Sequence, residues 1–96
     1  MKILAMDKMK PGITFDDLKP HLKEEAKYAW NMYKKGITRE LYIRGDQKGA
    51  VLIMEIDSIE TARKMFDNLP LVKNNLIEFD YIVLEPFYPF ETIFEK

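Results

Sequence analysis

The segment Ala50-Val51-Leu52-Ile53-Met54-Glu55-Ile56 constrains this fold more than any other, because it has the length and composition of a strand yet is apolar at odd and even positions alike. Side chains of a strand alternate between two faces, so both faces of this one need cover. Helices can cover one side. The natural cover for the other is the sheet of a second copy, since a chain of 96 residues buries only somewhat over ~60% of the surface its unfolded form exposes.

The elements around this strand follow from changes of period. Residues 2–8 are apolar in the middle and end at the turn signal Lys10-Pro11-Gly12, which gives a first strand. Thr14 can cap a helix with Asp16 and Asp17 in its first turn, and Gly36 stands where a terminating glycine belongs. Between them Phe15, Leu18, Leu22, Ala26, Ala29 or Trp30, and Tyr33 recur at spacings of three and four. Pro20 interrupts the pattern, so the regular helix is expected to start around it, with 14–19 as a preceding turn. After Gly36 the period becomes two. Ile37, Arg39, Leu41 and Ile43 are expected on one face, and Thr38, Glu40, Tyr42 and Arg44 on the other. Residues 45–49 form a hairpin loop into the doubly apolar strand.

Ser58 then caps a second helix, with Thr61 in place of the usual capping-box glutamate and Ala62, Met65 and Phe66 on its buried stripe. The helix stops before Leu69-Pro70, and residues 76–85 make a fourth strand. The extension 86–96 carries Phe87, Tyr88, Phe90, Ile93 and Phe94, too much apolar surface for a free tail, and is expected to pack on its own domain or on a partner. The whole reads as one domain, 1–96, of the α+β class: a ferredoxin-like βαββαβ arrangement with a four-stranded antiparallel sheet and two helices on one face. Two such sheets packed together give a dimeric α/β barrel.

Composition narrows the partners. Fifteen basic and sixteen acidic residues give a formal net charge of −1, with neither sign gathered into one half, so nucleic acid is not an expected partner. There is no cysteine, which removes disulfides and thiolate chemistry and leaves no expected metal site. The apolar runs are short of a membrane span and the first residues reach a charge too soon for a signal peptide, so no membrane is expected and the cytoplasm is the default address.

Glu24-Glu25, Gly36-Ile37-Thr38-Arg39-Glu40-Leu41, Ile53-Met54-Glu55-Ile56-Asp57-Ser58 and Asn68-Leu69-Pro70-Leu71 together resemble the muconolactone isomerase family over roughly residues 20–85. The most specific piece is Asn-Leu-Pro-Leu, followed by Arg-Glu-Leu. The resemblance implies a dimeric α/β barrel, in some members assembled further into rings, and a double-bond shift in an unsaturated lactone without metal or organic cofactor. It also implies roles for Glu25 and for Arg39 and Glu40, which match the helix glutamates and the Arg-Glu-Leu motif. The chain after Leu41, after Leu71 and in the aromatic extension departs from the named enzyme, in segments that shape a pocket or a subunit contact.

The residues themselves offer proton-transfer groups. His21 and Glu25, four apart on a helix, project to one side, where a carboxylate can orient an imidazole. Arg39 and Glu40 are neighbours on a strand, so one of them can face the helix layer. Tyr42 is placed with Glu40 and Arg44, and an Arg-Tyr pair can clamp a carboxylate-bearing ligand. Each has a plainer reading: His21 with Glu25, and the run Lys23-Glu24-Glu25-Lys27, as a solvated face; Arg39 and Glu40 as structural pairs; Trp30, Tyr33 and Tyr42 as core. Three functions stay open. The first is a cofactor-independent isomerase or related proton-transfer enzyme acting on a small organic acid or lactone. The second is a non-catalytic binding or assembly module that pairs with itself as a homodimer or higher oligomer. The third is a haem-binding or oxygen-using barrel, for which only the single histidine speaks.

Overall fold

A computed structural model describes residues 1–95. In chain order it holds β1 (Lys2–Met9), α1 (Phe15–Leu18), a 3-10 turn (Lys19–His21), α2 (Leu22–Lys34), β2 (Thr38–Ile43), β3 (Ala50–Glu55), α3 (Ile59–Phe66), α4 (Pro70–Lys73), β4 (Ile77–Leu84) and a second 3-10 stretch (Tyr88–Phe94). The strands form one sheet in the order β2-β3-β1-β4. β1 is central and antiparallel to both β3 and β4, and β2 pairs antiparallel with β3. This is the expected ferredoxin-like architecture.

Local chemistry accounts for the breaks. Pro20 has no N–H to give a helical ladder, and the chain passes it as a 3-10 turn between α1 and α2, so regular helix starts at Leu22. At the start of α1 the Thr14 N–H donates to Asp17 Oδ2 at 2.8 Å. The α3 cap is made by Ser58, whose Oγ accepts from the Thr61 N–H at 3.1 Å, while the Thr61 hydroxyl lies 3.0 Å from it. α2 ends at Gly36, where φ is 77°, a conformation that glycine adopts without penalty.

The core follows strand parity. Ile3 and Ala5 of β1 and Leu52 and Met54 of β3 point to one face, where they are buried with Met32 of α2, Ala62 and Phe66 of α3, and Leu69. Phe79 and Tyr81 of β4 pack over Phe66, with ring centroids at 4.4 and 5.9 Å. A second cluster joins Leu18, Leu71 and Ile77. The other face carries Leu4, Met6, Val51, Ile53 and Ile82, which the helices do not cover, and Ile82 is 47% exposed.

Three sequence expectations need correction, and a fourth is extended. β2 does not alternate from Ile37: a bulge between Thr38 and Glu40 shifts the register, so Thr38 lies opposite Met54 and shares the core-facing side with Leu41, which lies opposite Leu52. One inserted residue reverses every assignment before it. The inward stripe of α2 is Leu22, Glu25, Ala29 and Met32 rather than the run through Ala26 and Tyr33. Trp30, Tyr33 and Tyr42 are not core: they are 58%, 50% and 58% exposed. The segment at Asn68-Leu69-Pro70 ends α3 as expected, but Pro70 also opens α4, and Leu69 and Leu71 are both buried.

Candidate active site

Glu25 occupies a position where an apolar side chain would be ordinary. It lies on the inward stripe of α2 one turn before Ala29, and its Oε1 accepts from the Leu71 N–H at 3.0 Å. Burial pushes its carboxyl above the usual range, outweighing the opposing effect of that N–H, and the charge of Asp7 raises it further. Asp7 is the second inward carboxylate, on β1 in phase with Ile3 and Ala5. It accepts from the Ala50 N–H at 2.7 Å, and burial raises its pKa against the pull of that bond and of Arg44. The hairpin backbone presses on it. A Cβ at Gly49, whose φ is 146°, would lie 2.5 Å from the Asp7 carbonyl oxygen and 2.7 Å from its Oδ1.

Two half-buried carboxylates thus face the layer between helices and sheet, each holding one backbone N–H and each favouring its proton more than a free acid does. Carboxyl groups whose proton affinity is raised by burial are candidates for exchanging a proton with a bound molecule. Among the described residues no cluster of three or more His, Cys, Asp or Glu side chains is arranged to hold a metal.

The other sequence candidates are placed as follows. His21 is half-buried at the N-cap of α2, on the same side as Glu25, whose carboxylate turns to Leu71 instead of to the imidazole. Arg39 sits in the β2 bulge with its Nε donating to the Gly36 carbonyl at 2.6 Å, and among the described residues no carboxylate pairs with it. Glu40 and Tyr42 point to the open face, joined by a Tyr42 hydroxyl donating to Glu40 Oε1 at 2.8 Å. That bond to a carboxylate raises the Tyr42 pKa. Arg44 is committed to Asp46 through two contacts of 3.0 and 2.8 Å, which hold the Asp46 carboxyl below its usual range. An Arg44–Tyr42 clamp is not formed.

Between α2 and β2 lies an open groove of about 510 Å³. Its floor is small (Ala26, Ala29) and its walls are Trp30, Tyr33, Leu41 and Tyr42, with Arg39 and Glu40 at the side. Arg39 therefore lines the groove, whereas Glu25, one turn before Ala29 on the same helix, is not among the lining residues and turns its carboxylate to the Leu71 N–H. Sequence reasoning missed Asp7, although a charge at the third position of the in-phase series Ile3, Ala5, Asp7, Met9 was the available signal.

Fold and carboxylate placement define the class: a ferredoxin-like α+β protein with acidic groups between its helical layer and its sheet. Among solved structures the chain is similar to 5-chloro-2-hydroxyhydroquinone dehydrochlorinase (TftG) from Burkholderia phenoliruptrix, determined in complex with 2,5-dihydroxybenzoquinone. The TM-score is 0.67 at 19% identity, covering 93% of this chain and 98% of that one. At that identity the two share the fold. No protein-family model matches the sequence, and no curated protein matches it.

Proposed function

We propose that this protein is a cofactor-independent proton-transfer enzyme, an isomerase in type, acting on a small unsaturated organic acid or lactone. The observation that carries this reading is Glu25, a carboxylate on the core-facing stripe of α2 whose proton affinity is raised by burial. Ionised Glu25 removes a proton from an activated carbon of the substrate. The electron pair delocalises into the adjoining unsaturated carbonyl system, and the same carboxyl returns the proton to another carbon of that system. The double bond moves, and nothing is oxidised or reduced.

Arg39, held by Gly36 and paired with no acid among the described residues, anchors the substrate carboxylate. His21, one turn before Glu25, is a second group able to carry protons to solvent, and Asp7 keeps the Glu25 carboxyl proton-hungry. Trp30 and Tyr42 give flat unsaturated ligands an aromatic wall. The structural neighbour's ligand, 2,5-dihydroxybenzoquinone, is such a flat unsaturated ring. The open apolar sheet face supports a homodimer in which Leu4, Met6, Ile53 and Ile82 meet the same face of a second copy.

A ligand screen by thermal shift tests the reading, with unsaturated lactones, dienoic acids and aromatic carboxylates offered to the wild type, Glu25→Gln and Arg39→Ala. The expected result is a shift in the wild type and in Glu25→Gln that disappears in Arg39→Ala. No shift with any of these acids contradicts an anion site at Arg39. The openness of the groove favours a second reading, a binding module without chemistry, for which Glu25→Gln would bind ligands as the wild type does and neither protein would turn them over.

A further inference from the structure

The aromatic extension and the α2–β2 groove are both left without a partner inside one chain. Phe87, Phe90, Ile93 and Phe94 are 64%, 62%, 71% and 81% exposed, and none of them joins either apolar cluster of the body. Among the described residues the only ring packing in the extension is internal, Phe87 edge-on to Phe90 at 4.8 Å. The radius of gyration is 15.7 Å, against roughly 12–13 Å for a compact chain of this length. The extension therefore stands off the body, and contiguous exposed apolar surface of this kind marks a docking segment.

We infer that the extension of one copy docks across the α2–β2 groove of a second copy, its aromatic side chains packing against Trp30, Tyr33 and Tyr42. Three observations select this occupant. The extension leaves the sheet from β4, while the groove lies over β2 at the opposite edge of the order β2-β3-β1-β4, about 14 Å away by strand spacing. In its observed conformation the extension stands off its own body and joins neither of its apolar clusters, so the groove open to it is that of a neighbouring copy. The surfaces match chemically, since rings that prefer edge and offset contacts face exposed rings of the same kind. Their described charges also match: the extension carries Glu91 and Glu95, and the end of α2 beside Tyr33 carries Lys34 and Lys35. Among the described residues none of these four makes an ion pair. The inference goes beyond the proposed activity and stands without it, because the groove can be covered whether or not it binds an acid.

Trp30 is the single tryptophan, so the groove carries its own reporter. The test compares emission wavelength and acrylamide quenching of Trp30 in the full chain and in a chain ending at Glu85. A blue-shifted, quench-resistant Trp30 that becomes red-shifted and several-fold more quenchable on truncation is expected. Refolding the shortened chain together with a full-length Trp30→Phe chain, which brings an extension but no tryptophan, is then expected to restore the shielding. Equal quenching with and without the extension overturns the inference, and so does shielding that the mixture fails to restore, which would mean that the extension covers its own chain. Should the shortened chain not fold, full-length Phe90→Ser with Phe94→Ser is expected to expose Trp30 in the same way, and an unchanged spectrum in that variant overturns the inference.

Discussion

Glu25 separates the reading of a solvated helix from that of a site. Along α2 the charges Lys23, Glu24, Glu25 and Lys27 look alike, yet Lys27 pairs with Glu24 at the surface at 3.1 Å while Glu25 turns inward to Leu71. Its folded pKa is raised above the ordinary 4.5, so the folded state holds this proton more tightly than the unfolded one. Its contribution to stability is complete below the unfolded value and is lost as pH rises through the folded value. Gln keeps an oxygen for the Leu71 N–H and removes the charge. Glu25→Gln is therefore expected to be more stable than the wild type at about pH 7 and to lose that advantage by about pH 4, measured by urea unfolding at the two pH values. The opposite order at neutral pH would mean that the carboxylate is stabilised where it lies. Thr38 gives a second test at this scale. Its Oγ1 is buried with no hydrogen-bond partner, and replacing an unsatisfied hydroxyl by a methyl removes its desolvation cost, so Thr38→Val is expected to gain about 1 kcal/mol. For a domain of this size that is a melting temperature higher by roughly 4–8 °C.

Element boundaries were legible where a single residue type enforces them. Pro20 breaks the first helix, Gly36 ends it, and Ser58 starts α3, each for a backbone reason visible in the sequence. Ser58→Ala is expected to cost about 1 kcal/mol through loss of the cap to Thr61, read as a lower denaturation midpoint with an unchanged slope. The bulge at Arg39 was not legible, because alternation of Thr38, Glu40 and Tyr42 against Leu41 and Ile43 looks the same with or without one extra residue at the start of the strand. Trp30 and Tyr33 misled for a related reason. Their spacing fits a stripe, but in α2 the neighbouring stripe through Met32 meets the sheet, and a rotation of one position cannot be read from periodicity when both stripes hold apolar residues. Of the candidate site, Glu25 and Arg39 were reached from the residues and from the family resemblance; Glu25 is half-buried on α2 and bound to the Leu71 N–H, and Arg39 lines the groove. Asp7 was not singled out, although it stands in phase with the core residues Ile3 and Ala5 of β1.

The whole molecule leaves apolar surface open on the sheet face, in the α2–β2 groove and along the aromatic extension, and a chain this small has few other ways to add stability than association. Ile53 lies on the open face opposite Leu4 of β1. If a second sheet covers it, Ile53→Glu buries an unpaired charge and is expected to give aggregated or unfolded chain in sedimentation and circular dichroism. A folded, well-behaved monomer would remove the sheet-face dimer.

The central claim is that Glu25 exchanges protons with carbon, and incubation of the protein with unsaturated lactones and dienoic acids in D2O, followed by proton NMR, tests it most directly. Deuterium entering the carbon next to the double bond with the wild type, at a rate about 10²–10⁴ times that with Glu25→Gln, is the expected result for loss of a general acid–base group. Equal exchange in both proteins, or neither exchange nor a shifted double bond in the wild type with a compound it demonstrably binds, would contradict it.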